Sequence, residues 1–362
     1  MSGELVLEII KRLTANHVNL DWYRGKRVLV TGGAGFIGSW LVEALSQLGS
    51  TVFVVDNLWR GSINNLEREN GSHWISLTEQ FFLSDLRDYH AALSACIRSK
   101  PDIVFHLADI VAGIDFVFAN EPFLFRSNIL INSNLFSAVN EAGIPYLVYL
   151  GTACSYPREL QELPGGKPLT EDQAYPANPE SAYGWSKLLG EYEAQLLHKN
   201  TAVQLGVLRL HNVYGPKTIL ARKRSQVIPS LIRKAVLYPE EDFIVWGSGN
   251  QARDFIFIAD VLDALLRLPL SGMGAGPIQI ASSDETTISR LAELIVEISG
   301  KEIEIKYDLS KPEGDGGRTG STAKAKRILN WEVITPLVEG LRKTYSWAEE
   351  QIRRKRVDLD AT

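Results

Sequence analysis

Tyr183 and Lys187 stand four apart in "SAYGWSKLLGEYEA", a stretch that reads as helix. That spacing places both side chains on one helix face. A neighbouring ammonium lowers a phenol's pKa, so the pair is suited to taking a proton from a hydroxyl group. The same spacing also occurs on helix faces that only meet solvent. Thr152 and Cys154, in "GTACSYP", follow the apolar run "PYLVYL", which reads as a buried strand. The Thr152 hydroxyl is placed to donate to the oxygen that Tyr183 serves. A free cysteine is most often a small buried hydrophobe. At a positively charged site, however, its thiol pKa falls and it becomes a base. If the backbone stays extended, Thr152 and Cys154 point to the same side of the strand end.

These residues need a scaffold, and the sequence describes one. "KRVLVTGGAGFIGSWLVEALSQLGSTVFVVDN" reads as strand, glycine turn, helix from about residue 37 to 48, and a second strand. Gly32, Gly35 and Gly38 follow a G-x-x-G-x-x-G spacing between strand and helix. Glycine permits the tight turn and lets backbone approach a pyrophosphate, while the helix N-terminus faces the negative charge. Asp56 closes the second strand, where a carboxylate accepts from both ribose hydroxyls and repels a 2′-phosphate; NAD, not NADP, is the expected cofactor. Asp85, in "LSDLRD", either reaches an adenine amino group or caps the following helix. The runs "DIVFHLA", "YLVYLGT" and "VQLGVLRL", with helical stretches between them, predict an α/β fold with a Rossmann-type doubly wound parallel sheet. After Val213 the pattern becomes irregular, and a smaller, interleaved α/β lobe is expected to bind substrate. The expected division is an N-terminal helical extension over 1–24, an NAD-binding domain over 25–212 plus about 243–272, and the second lobe over about 213–242 plus 273–362.

Composition narrows the partners. Of the 362 residues, 45% are hydrophobic and 22% charged, an ordinary globular balance. The net charge of -5 argues against a nucleic-acid footprint. Cys96 and Cys154 cannot form a disulfide framework, which suits a reducing cytoplasm. No apolar run reaches the length of a membrane span, and the N-terminus lacks the pattern of a signal peptide. No metal, nucleic acid or membrane partner is expected.

Taken together, "TGGAGFIG", "FHLAD", "YGWSK", "NVYGP", "GSGNQARDFIFIADV" and "KAKRILNW" resemble the extended short-chain dehydrogenase/reductases of the nucleotide-sugar epimerase/dehydratase type. "LADIVAGIDFVFANEPFLFRSNILINSN" and "GTACSYP" look most like the GDP-mannose 3,5-epimerases and GDP-fucose synthases, and "RLHNVYGP" and "EGLRKTYSWAEEQI" like the former. The resemblance implies a cofactor site that also includes Phe36, Ile37, Asn57, Leu86, Leu107 and Ala108. It implies a grip on a nucleoside diphosphate sugar, a GDP-hexose being favoured, through Gly113, Asn128, Asn212, Lys217, Gln226, Val227, Arg253 and Arg318, with Asn128 also expected to hold the loop before the active site or to fill a polar place inside its helix. Guanidinium forks at Arg253 and Arg318 suit the oxygens of a diphosphate. A homodimer is the family expectation.

The implied chemistry answers why a cysteine follows the threonine. Oxidation at C4 of the hexose acidifies the hydrogens on C3 and C5, a base removes one, and an acid on the opposite face returns it. Cys154 is expected to be one of these groups. The acid that faces it in the relatives is His or Lys in a segment matched here by "RSQVIP", where Gln226 and Val227 stand instead. Neither is an acid, which leaves Lys217, Lys223, His211 or water for that role. A 4-epimerase, a 4,6-dehydratase and a non-enzymatic NAD-binding scaffold are the alternatives. Ala153–Cys154 replaces the acidic pair typical of dehydratases and counts against dehydration.

Overall fold

Strands buried on both faces are near-continuous apolar runs, because successive side chains enter opposite cores. A computed structural model describes residues 2–111 and 113–360 of the chain. It begins with α1 (Ser2–Ala15), β1 (Arg27–Thr31), α2 (Phe36–Gln47), β2 (Thr51–Asp56), β3 (Phe81–Leu83), α3 (Tyr89–Ser99) and β4 (Ile103–His106). Then come α4 (Ile114–Ala119), α5 (Glu121–Glu141), β5 (Tyr146–Thr152), α6 (Ala182–Asn200) and β6 (Gln204–Leu210). The remainder starts with β7 (Asn212–Tyr214), α7 (Val227–Leu237), β8 (Ile244–Trp246), β9 (Ala252–Phe257), α8 (Ile258–Ser271) and β10 (Pro277–Ile280). It ends with β11 (Glu285–Thr287), α9 (Ile288–Ser299), β12 (Lys306–Asp308), β13 (Gly317–Arg318), α10 (Ala323–Leu329) and α11 (Leu337–Arg353).

Seven parallel strands form the main sheet in the order β10-β6-β5-β4-β1-β2-β3. Val28 and Val30 of β1 enter the core shared with α1, α2 and α8, whereas Leu29 enters the core shared with α3, α5 and α6. The chain winds outward from β1 through β2 and β3, then returns beside β1 with β4 and proceeds the other way. This order reversal opens a crevice at the carboxyl ends of the strands, the usual ligand position in such sheets.

Two expectations about the division of the chain are corrected. Residues 273–362 do not all lie outside the main sheet, since β10 pairs with β6 at its edge. Nor do residues 243–272 all join it: β8 pairs with β12, and β9 lies in a separate sheet with β7, β11 and β13. Both errors have one cause. A short apolar strand carries no local mark of which sheet it will extend. The N-terminal helix packs tightly against the main body: Val6, Ile9 and Leu13 are buried, and Arg12 pairs with Asp263 at 3.0 Å. Among the described residues, no helix is long and apolar enough to cross a membrane.

Candidate active site

The glycine turn after β1 is built so that two backbones touch. Gly32 has φ +66°, and a Cβ there would stand 2.9 Å from the Ala108 nitrogen; one on Gly38 would stand 2.2 Å from the Gly32 carbonyl oxygen. The start of α2 can therefore close onto the crevice only with glycine at these positions. Asp56 accepts from the backbone N–H groups of Ala34 (3.0 Å) and Leu58 (2.8 Å). Burial raises its pKa, and those two bonds oppose the rise. The Asn57 amide donates to Asp85 at 3.1 Å, and an ion pair with Arg87 at 2.7 Å holds Asp85 down to about 2. Asp85 is not the cap of α3; Asp88 fills that place, accepting from the His90 N–H.

Behind this cradle, Thr31 fixes the next loop. Its Oγ1 accepts from Leu107 N at 3.1 Å and Ala108 N at 3.0 Å, and its proton goes to His106 Nδ1 at 2.8 Å. His106 Nε2 then donates to Asn132 at 2.9 Å. Burial, with the Lys187 charge, holds His106 down to about 3, so the imidazole is a neutral brace. Gly35, Phe36, Ile37, Gly38, Asp56, Asn57, Asp85, Leu86, Leu107 and Ala108 all line one cleft of about 1000 Å³. Arg60, which the sequence reading missed, lines it too, with a buried Nη1 that has no hydrogen-bond partner and a pKa pushed down to about 10, chiefly by burial. The glycine cradle, the Asp56 carboxylate and this unpaired guanidinium nitrogen fit a dinucleotide.

The residues expected to transfer protons come from the elements beside it. Ser181 caps α6 by accepting from the Gly184 N–H at 3.3 Å, and Tyr183 and Lys187 both face the cleft. A Cβ on Gly184 would stand 2.2 Å from the Cys154 carbonyl oxygen, so α6 packs directly on the Cys154 turn. Asp109, unforeseen although it ends the motif "FHLAD", pairs with the Lys187 ammonium at 2.8 Å, with both side chains at least nine-tenths buried. Burial raises the Tyr183 phenol and the Asp109 charge raises it further, against the Lys187 charge. The extended course expected from Thr152 to Cys154 is corrected: residues 153–155 make a 3-10 turn, and Thr152 Oγ1 accepts from Cys154 N at 3.2 Å. Thr152 and Cys154 reach the cleft wall through this turn and not through strand alternation.

At the far end, Gly113, Asn212, Lys223, Gln226, Val227, Arg253, Arg318 and His211 line the cleft. Two expected substrate ligands do not. Asn128 is fully buried, bonded to both backbone groups of Ile110 (2.8 and 3.1 Å) and to Ser186 (3.2 Å), where it ties the loop after β4 to α6. Lys217 turns away to Glu43 at 3.1 Å and to the Asn65 carbonyl, with its ammonium over the Trp40 ring, because α2 supplies a buried carboxylate for it. Gln226 and Val227 begin α7 and bring no acid. His211 Nε2 meets Gln279 at 2.9 Å, and burial lowers its pKa. Arg318 is buried against Gln161 and the Ala153 carbonyl, and Arg253 reaches the Asp315 carbonyl at 2.7 Å. Glu180 and Asp315, also unforeseen, join these arginines in the wall.

Residues 28–274 match the family described as the NAD dependent epimerase/dehydratase family. The chain is 31% identical over 330 residues to GDP-mannose 3,5-epimerase 1 of Oryza sativa subsp. indica, covering 91% of this chain and 83% of that protein. It superposes with a TM-score of 0.79 and 27% identity on UDP-glucose 4-epimerase of Thermotoga maritima, solved with UDP-glucose, over 90% of this chain and 99% of that one. The Thermus thermophilus UDP-glucose 4-epimerase, solved with NAD, gives a TM-score of 0.76 at 26% identity over 89% and 98% of the two chains.

Proposed function

The chain belongs to the NAD dependent epimerase/dehydratase family, with NAD as its cofactor, and from that premise we propose that it epimerises a nucleoside diphosphate sugar through a transient 4-keto sugar, in the manner of a GDP-mannose 3,5-epimerase. The observation that carries this reading is the meeting of Tyr183 and Cys154 in one cleft wall, on elements in direct backbone contact. Bound NAD would supply a reversible hydride acceptor at C4, held by the glycine cradle, Asp56 and Arg60. Tyr183 takes the C4 hydroxyl proton and later returns it, and Thr152 and Lys187 orient that exchange. Cys154 takes or gives the proton on a carbon beside the ketone. Arg253 and Arg318 hold the diphosphate. The exposed apolar side chains of α5 and α6, among them Phe123, Leu130, Tyr192 and Leu196, suit the docking of a second copy.

The test is incubation with GDP-mannose and related nucleotide sugars in deuterated water. Deuterium is expected at C3 or C5 of the accepted sugar and is expected to vanish in Cys154→Ser. A second reading draws support from Gln226 and Val227, which leave no acid at the place where the resemblance implies one. Simple 4-epimerisation needs none. Inversion at C4 without deuterium incorporation, together with full activity of Cys154→Ser, would decide for it and against the thiol.

A further inference from the structure

His211 stands one residue beyond β6, whose last residue, Leu210, is paired in register with Thr152 of β5. It therefore lies at the same end of the sheet as the Cys154 turn, and it lines the cleft with Thr152, Cys154 and Arg318. The residue is 5% exposed. Its surroundings fix which ring nitrogen holds the proton. Gln279, fully buried in β10, donates from its amide Nε2 to the carbonyls of Leu169 at 2.8 Å and Ser321 at 3.0 Å. Both amide protons are used there, so Oε1 is the atom that faces Tyr156 and His211. It accepts from the Tyr156 hydroxyl at 2.8 Å and from His211 Nε2 at 2.9 Å. Nε2 is thus the protonated nitrogen, and Nδ1 of the neutral ring carries a bare lone pair. Nδ1 is buried with no hydrogen-bond partner. Gly320 closes on the Nε2 side, where a Cβ would stand 2.5 Å from that nitrogen. Gln279, Tyr156 and Gly320 stand behind the cleft wall, so the Nε2 end of the ring points into the protein and the remainder, with Nδ1, is left toward the cleft. Asp254, whose charge acts on His211, is already engaged by Ser282, Ser283, Thr319 and Gly320.

We propose that His211 is a fixed hydrogen-bond acceptor for a hydroxyl group of the bound sugar, held in that form by Gln279 and Tyr156. The inference rests on the nucleotide-sugar reading above. A buried acceptor without a partner is costly, and a donor brought by the ligand removes that cost. Within a nucleoside diphosphate sugar, the phosphate oxygens only accept at neutral pH and gain nothing from Nδ1. A sugar hydroxyl donates. His211 therefore reads the sugar, while Arg253 and Arg318 suit the diphosphate. The same tautomer takes His211 off the set of acids that face Cys154, because its proton sits on Nε2 against Gln279 and not on the nitrogen left toward the cleft. A sugar without a hydroxyl at this place leaves the acceptor unpaired, and a site built in this way discriminates against it. The nicotinamide amide is the other donor that such a cleft holds, and the experiment separates the two.

The test is nitrogen NMR of the NAD-loaded protein with isotope-labelled histidine, carrying Tyr183→Phe so that the sugar is not turned over. The chain has six histidines. The signals of His211 are those lost in His211→Phe, or in His211→Gln if the phenyl ring disturbs the wall. Before ligand is added, a protonated Nε2 and a bare Nδ1 are expected. GDP-mannose or UDP-glucose, whichever binds, is expected to move the Nδ1 signal toward the protonated position, as acceptance of a hydrogen bond does. GDP and UDP, which lack the sugar, are expected to leave it in place. In titration calorimetry the same His211 variant is expected to weaken the sugar nucleotide by about fivefold to tenfold, and the bare nucleotide by less than about twofold. A proton found on Nδ1, an Nδ1 signal unmoved by a sugar nucleotide that binds, or one moved equally by the bare nucleotide overturns this inference and leaves the nucleotide-sugar reading standing. An Nδ1 signal already displaced in the NAD-loaded protein and unmoved by the sugar gives the acceptor to the nicotinamide amide and overturns the inference likewise. Failure of both sugar nucleotides to bind overturns the nucleotide-sugar reading and this inference with it.

Discussion

Single residues in the cleft are defined by the charges around them. Lys187 is expected from the motif "YGWSK", but its buried partner Asp109 changes what it does. The ion pair fixes the ammonium, and the carboxylate raises the Tyr183 phenol that the ammonium lowers. In the proposed reaction Tyr183 must be ionised to accept a proton, so kcat/KM is expected to rise with pH through its pKa. Asp109→Asn removes a charge that raises this pKa and is expected to move the rising limb to lower pH. A pH–rate profile checks it; a limb that stays in place would mean that Asp109 serves structure only. The second cysteine makes a useful contrast. Cys96 sits on the buried face of α3, with its thiol pushed up to about 12 by desolvation, and it does not line the cleft.

Among the elements, α6 does most to assemble the site. Its first turn carries Tyr183, its second carries Lys187, and Gly184 between them rests on the Cys154 carbonyl. Further along, Glu191 grips Arg209 of β6 through two bonds, of 2.7 and 3.3 Å, with both side chains almost fully buried. That tie sets the helix on the sheet. The glycine contact sets it on the turn. Gly184→Ala would place a methyl group inside the contact distance of backbone, and the flanking segments must separate. We expect kcat/KM to fall at least about tenfold, since displacements near 1 Å are costly to proton transfer, while NAD affinity in fluorescence titration stays near that of the unsubstituted protein. Equal losses of both would point to a general unfolding of the helix.

For the whole molecule, α1 is the clasp that an isolated reading of the N-terminus undervalues. It packs over α2, whose start faces the cofactor cradle, and over α8, which leads from the second sheet back to the first. Leu13 is fully buried there. Leu13→Ala is expected to lower the free energy of unfolding by about 2–5 kcal/mol, read from urea denaturation. A loss below about 0.5 kcal/mol, the range of ordinary surface substitutions, would show that α1 contributes little to the packed body. Across the cleft, Arg60 donates to the Arg224 carbonyl at 3.1 Å, and Arg224 in turn reaches the Trp59 carbonyl and stacks over its ring. The two sides of the site are thereby held by contacts between residues far apart in the chain.

What the sequence determined by itself was everything with a local signature. The strand–glycine–helix unit of β1 and α2, the carboxylate closing β2 and the four-residue spacing of Tyr183 and Lys187 depend on neighbours within a few turns of chain. Backbone sterics and helical periodicity write these directly into residue order. Tertiary structure decided which charges meet. It paired Lys187 with Asp109, sent Lys217 to Glu43, buried Asn128 under the loop it holds, and paired Arg318 with Asp315. It also placed β10 in the main sheet and β8 outside it. Each of these depends on crossovers that bring distant segments together, and a side chain's charge or polarity is the same whether it ends in solvent, in a cleft or against a buried partner.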